Sequence, residues 1–134
     1  MTEIKARDIV LTRVQNRDKK TGEIEKDTTR VCVVTKVLED KVELRTLTSR
    51  IESPHARLYG IEIPKSTQNG LRENSAVMCT RDNKGYMPKK LANKLMRIGE
   101  ITIDQHLKVT KKAQHCNMKN VQMKNSTTIV PPQR

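Results

Sequence analysis

Aromatic residues are almost missing from this chain: of 134 residues only Tyr59 and Tyr86 are aromatic, and there is no Phe or Trp. A core has to be filled by Val, Ile, Leu and Met. A recognition module that stacks bases on aromatic side chains is all but excluded. Cysteine is scarce too. Cys32, Cys79 and Cys116 cannot all pair, and no C-x-x-C spacing occurs, which speaks against a disulfide scaffold or a zinc site. Cys32 and Cys79 lie in apolar runs and read as small core residues. No apolar run approaches the roughly 18 residues of a membrane span, and the opening MTEIKARDIV has no apolar signal core. The expectation is a cytoplasmic protein with reduced thiols and no membrane contact. Also absent are a Walker A loop, a G-x-G-x-x-G turn and an H-E-x-x-H pair, and His55, His106 and His115 are dispersed. No cofactor and no metal site are expected.

What is abundant is positive charge. Lys and Arg number 27 against 15 acidic residues, for a net charge of +12. Residues 111–134 hold five basic residues and no acidic ones, so residues 1–110 carry 22 basic against 15 acidic. The body is basic without its tail, which favours a polyanionic partner. The length suits one domain.

The order of elements reads as strands first and helices last. Ile9-Val10-Leu11 and Val14 make a first strand, followed by a long charged loop from Gln15 to Thr29. Val31 to Leu38 is a dense β-branched strand. Glu39-Asp40-Lys41 is a tight turn into a strand with Val42, Leu44, Thr46 and Thr48 on one face and Glu43, Arg45, Leu47 and Ser49 on the other. Arg57 to Ile63 alternates weakly as a further strand, Asn69-Gly70 marks a turn, and Ser75 to Thr80 is a short buried strand. Pro88 can open a helix carrying Leu91, Ala92, Leu95 and Met96, stopped by Gly99. Thr102-x-x-Gln105 is a capping-box pattern for a last helix to about His115, with Ile103 and Leu107 as its apolar face. Residues 1–116 are expected to form the domain and 117–134 a flexible basic tail. The fold class expected is mainly β (α+β), a small barrel-like sheet with a C-terminal helix.

One constellation stands out. A hairpin joined at residues 39–41 places position 30 near positions 49–50, so Arg30 meets Thr48 or Ser49 at one end of the sheet, beside the charged loop. An ordinary surface arginine is the alternative.

Several segments resemble the MazF/PemK family of toxin endoribonucleases. Arg7-Asp8-Ile9-Val10-Leu11 is similar to its G-D-I-V-L first strand, and Glu25-x4-Arg30 with Val31-Cys32-Val33-Val34 to its E-x4-R-P-V-V-V segment. Leu47-Thr48-Ser49 resembles its I-T-S strand end, and Asn74-Ser75-Ala76-Val77-Met78-Cys79 its D-S-V-V-L-C strand. Met96 to Ile101 before a final helix also fits. Departures are Arg7 for Gly, Val31 for Pro, and Thr80 to Tyr86 for an R-T-I-D-like stretch.

The resemblance implies an SH3-like barrel of the MazF/PemK/CcdB type, a homodimer, and metal-independent cleavage of single-stranded RNA. Attack by the ribose 2′-OH would leave 2′,3′-cyclic phosphate and 5′-OH ends. It implies catalytic roles for Arg30, Thr48 and Glu25 and an acidic antitoxin as protein partner. Lys19, Lys20, Ser49, Arg50, Arg81 and Lys84 are the expected substrate contacts, and Glu25 and His55 the candidate bases. The alternatives are a non-catalytic MazF-like binding module for nucleic acid or protein, and a CcdB-like topoisomerase poison.

Overall fold

The computed structural model describes residues 3–18, 20–24, 28–118 and 125–130. Strands β1 (Asp8–Asp18), β2 (Thr28–Val37) and β3 (Lys41–Thr48) follow one another, then helix α1 (Pro54–Tyr59) and β4 (Gly60–Ile63). Next come β5 (Ser75–Met78), a 3-10 turn at Arg81–Asn83, β6 (Lys84–Pro88), α2 (Lys89–Ala92), β7 (Met96–Glu100), α3 (Ile103–Met118) and β8 (Asn125–Val130). Every strand pairing is antiparallel, along the path β4-β5-β3-β2-β1-β7, with β6 added to β3 and β8 added to β1. This is the mainly β sheet with a C-terminal helix expected from the sequence, as an open ladder rather than a closed barrel.

The core is explained by strand alternation. Side chains of period two point to opposite faces, and here both faces are covered. Val10, Val14, Cys32, Val34, Val42, Leu44 and Met87 fill one face. Ile9, Val33, Leu47, Ile63, Val77, Ile101 and Val109 fill the other, where α3 packs. Helix α3 starts with the expected capping box: the Gln105 amide donates to Thr102 Oγ1 (3.1 Å) and the Thr102 amide to Gln105 Oε1 (2.9 Å).

The structure corrects several expectations. β1 runs on to Asp18 and β2 begins at Thr28, so both ends of the expected charged loop are strand. Asp18 closes the hairpin tip by accepting the amides of Lys20 (2.8 Å) and Thr21 (3.2 Å) on Oδ1. Residues 54–59 are helix, because Ser53 caps them by accepting the Ala56 amide and Pro54 suits a first turn. The helix after Pro88 stops at Ala92, and Met96 and Gly99 belong to β7. The buried residues of α3 are Val109 and Cys116, spaced seven apart on one face, while Ile103 and Leu107 are 65% and 54% exposed. Within the expected flexible tail, the β-branched run around Thr127 to Val130 forms β8 along Arg13–Asp18 of β1.

Thr35 organises the centre of the sheet. The register of β2 with β3 is Val37 to Val42 and Lys36 to Glu43 near the turn, and Val34 to Leu44 beyond it, so Thr35 is the extra residue of a β-bulge. Its hydroxyl donates to Glu43 Oε1 (2.8 Å), and its carbonyl lies 2.9 Å from His106 Nε2 of α3, which must carry the proton there. Buried Glu43 also faces Arg45 (Nε to Oε1, 3.6 Å) and accepts from the Tyr86 hydroxyl on Oε2 (3.1 Å). Arg45 in turn donates to the Thr80 carbonyl (3.1 Å). Burial works to raise the Glu43 pKa, but the Thr35 bond, Arg45, the Tyr86 bond and Lys84 outweigh it and hold the carboxyl below its ordinary value.

Two backbone positions tie the ends of the molecule together. Arg7, where the resembled family has Gly, has φ 80°, in the left-handed region that favours glycine. Its amide donates to the Val34 carbonyl (2.7 Å) and its carbonyl accepts from Ile101 (2.9 Å), which hold it there. At Gly99 the turn before Gly70 presses on β7: a Cβ would sit 2.3 Å from the Asn69 carbonyl carbon and 2.6 Å from the Gln68 oxygen.

Two consequences are measurable by urea denaturation. Gly99→Ala should lose about 2–3 kcal/mol, because backbone and not a flexible side chain blocks the new methyl group; an unchanged midpoint would mean the turn does not pack there. Glu43→Gln should lose about 3 kcal/mol at pH 7 by leaving Arg45 buried without its counter-charge. A lowered native pKa gives stability that is present above the unfolded Glu value, about 4.3, and is lost as pH falls through the native value. The gap between wild type and Glu43→Gln should therefore shrink at pH 3.

Candidate functional site

The site begins with alternation on β1 and β2. Thr12 is level with Arg30, and Val10 with Cys32. Cys32 is in turn level with Thr46 of β3. Two residues beyond that pair on each strand stand Arg30 and Thr48, on the same face. The bulge at Thr35 produces this match: without it, position 30 would fall near 49–50, as a simple turn at 39–41 suggests. With the bulge, the paired ladder ends at Cys32 and Thr46, and continuing its register by two residues points Arg30 toward Thr48.

The result is one exposed guanidinium at the end of a row of hydroxyls. Arg30 is exposed, Thr48 half-buried, and Thr12 and Thr46 buried. Thr48 Oγ1 accepts the Arg50 amide (3.1 Å), which fixes its rotamer and leaves its proton free to donate outward. Thr12 Oγ1 is buried with no hydrogen-bond partner among the described residues. An orphaned buried hydroxyl costs about 1–3 kcal/mol, which makes Thr12, level with the exposed Arg30, a position that calls for an explanation. Thr12 was not singled out in the sequence; its alternation with Val10 and Val14 on the face of Arg30 is the signal that finds it.

Ser49 and Arg50 follow Thr48 directly and are exposed, so they lie at the same end. Lys20 sits exposed on the β1–β2 hairpin tip. Lys84 is level with Arg45, on the opposite face of β3 from Thr48, so the structure separates it from Arg30. Arg81 lies in the 3-10 turn after β5. His55 is exposed on α1, tilted against Tyr59 with ring centroids 6.3 Å apart. Glu25 and Lys19 lie outside the described residues.

The three cysteines are free and buried, which disfavours the thiolate form. Burial pushes the Cys32 thiol up to about 12, against a smaller downward pull from the neighbouring Arg30 charge. Burial likewise takes Cys79 to about 12 and raises Cys116. Among the described residues no three His, Cys, Asp or Glu side chains converge as metal ligands. No helix among them is long and apolar enough to cross a membrane. The chemical means of the site are thus a forked cation and hydroxyl donors. That set suits a phosphate, because a guanidinium offers paired N–H groups to two oxygens at once.

No family model matches the sequence. No curated protein matches it either. Among solved structures, the chain is similar to MazF (form I) from Deinococcus radiodurans, with TM-score 0.59 and 12% identity over 90% of this chain and 100% of that one. It is also similar to the MazE–MazF structure (form II) from Deinococcus radiodurans, with TM-score 0.56 and 14% identity over 91% of this chain and 100% of that one. The segments that resemble the family in sequence are those that build β1, β2, the end of β3, and β5, and the chain has the MazF fold.

Proposed function

We propose that the chain is a toxin-type endoribonuclease that cleaves single-stranded RNA without metal. The observation that supports this reading is the register around the Thr35 bulge: Arg30 and Thr48 each stand two residues beyond the Cys32–Thr46 pair, and Thr12, level with Arg30, has a buried hydroxyl with no partner among the described residues. In the reaction the ribose 2′-OH attacks the adjacent phosphorus, the P–O5′ bond breaks, and the products carry a 2′,3′-cyclic phosphate and a 5′-OH. Negative charge gathers on the phosphorane oxygens. Arg30 would hold two of them through its forked donors, and Thr48 would donate a hydroxyl to one. Arginine is too weak an acid to serve as base, so the 2′-OH proton goes to another group, for which Glu25 and His55 are the candidates. Ser49, Arg50 and Lys20, all exposed, would hold flanking phosphates.

The chain would work as a homodimer in the cytoplasm, held by an acidic antitoxin. Support for dimerisation comes from Ile103 and Leu107, one turn apart and exposed on α3, with Met96 exposed as well. Support for an acidic partner comes from the net charge of +12 and from the likeness to a MazE–MazF structure.

Incubation of the protein with mixed-sequence RNA in EDTA, with mapping of product ends, tests the reading. Wild type should give cyclic-phosphate and 5′-OH ends, and Arg30→Ala and Thr48→Ala should each slow cleavage about 100-fold or more. Folded wild type that cuts none of several RNAs would leave a binding module in its place.

A further inference from the structure

The second polar cluster of the sheet has an exposed ring at its margin. Tyr86 is 45% exposed, although it is one of only two aromatic residues in the chain. Its hydroxyl is not free to wander: it donates to Glu43 Oε2, and that carboxylate is itself held by Thr35 and Arg45. An exposed ring pinned through a buried carboxylate has lost its rotamer freedom before any ligand arrives.

Cations surround the ring. On the face that carries Glu43 and Tyr86, Lys41 lies two residues along β3 and Lys84 two residues along β6, on opposite sides of the ring. Their ammonium groups are 4.7 Å and 5.9 Å from the ring centroid. Exposed Lys36 of β2 is level with Glu43 in the same row. The one carboxylate beneath the ring is buried and matched by Arg45, so it offers little repulsion to an anion above. Both ammonium groups lie over the ring, and a base that displaced them from it would leave two long, mobile cations beside the ring to meet the phosphates on either side.

We propose that Tyr86 is a stacking platform for one base of a single-stranded RNA, with Lys41 and Lys84 receiving the flanking phosphates. The composition excludes a sheet paved with rings; it does not exclude one pinned ring. The platform lies on the opposite face of β3 from Thr48, and Glu43, its anchor, is five residues away, or about 17 Å along the strand. It is therefore a separate subsite from the Arg30–Thr48 end. The proposal rests on RNA as the partner and not on cleavage.

The lack of Trp makes tyrosine emission a direct reporter, and Tyr59→Phe leaves Tyr86 as the sole source. The probes are a short 2′-O-methyl RNA, which cannot be cleaved, and an abasic strand of equal length. The base-bearing strand should quench Tyr86 emission, and the abasic strand should bind more weakly without quenching. Tyr86→Leu should weaken binding of the base-bearing strand about tenfold. Tyr86→Phe, which loses the same bond to Glu43 but keeps the ring, should stay within about threefold, separating stacking from stability. Quenching should persist in Arg30→Ala with Thr48→Ala, so the loss of cleavage and the loss of this subsite show separately. Equal quenching by the abasic strand, no quenching by either, or unchanged affinity in Tyr86→Leu would overturn the proposal.

Discussion

A single extra residue, Thr35, sets the geometry on which the rest of the molecule depends. As a bulge it shifts the pairing of β2 and β3 by one position, and in a two-sided sheet one position decides which side chains meet. The shift sets Cys32 against Thr46 and so, two residues further along each strand, directs Arg30 toward Thr48. Thr35 also supplies the bond to Glu43 and the carbonyl that receives His106, so the bulge joins the register of the sheet to the seating of α3. Polar groups buried this deeply stabilise only when each has a partner, and here the Thr35 hydroxyl and the Arg45 guanidinium serve the Glu43 carboxylate, with the exposed Tyr86 hydroxyl donating from the rim.

The same alternation divides the polar chemistry of β3 between two faces. One face ends in Thr46 and Thr48 and looks toward Arg30. The other carries Glu43 and Arg45, with Tyr86 and Lys84 level on β6. On the first face an exposed cation stands level with a buried hydroxyl that has no hydrogen-bond partner among the described residues. The second is internally matched at depth and basic at its rim. The two proposals together would give a positively charged chain two distinct places for an anionic strand, rather than one diffuse patch.

Much of this was legible in the sequence. The β-branched run after Arg30, the turn at residues 39–41 and the capping box at Thr102 and Gln105 each follow from local chemistry, and they appear where that chemistry puts them. Strand spacing draws Arg30 toward Thr48 or Ser49, but the bulge between them is not legible, because Thr35 looks like any strand threonine until its partner strand is known. The helix at 54–59 hides behind weak alternation and shows only through Ser53 and Pro54. The apolar face of α3 was misjudged because Ile103 and Leu107 are more hydrophobic than Cys116, although tertiary contact selects the latter. Lys84 was grouped with Arg30 by charge, and only the register of β6 on β3 separates them.

The most direct test of the central claim, that Arg30 and Thr48 act together on one phosphate, is a double-mutant cycle on single-turnover RNA cleavage. Groups that serve the same oxygens lose their effect jointly, so Arg30→Ala with Thr48→Ala should be little slower than the worse single variant. Losses that multiply in full would place the two residues at separate points of action and contradict the account.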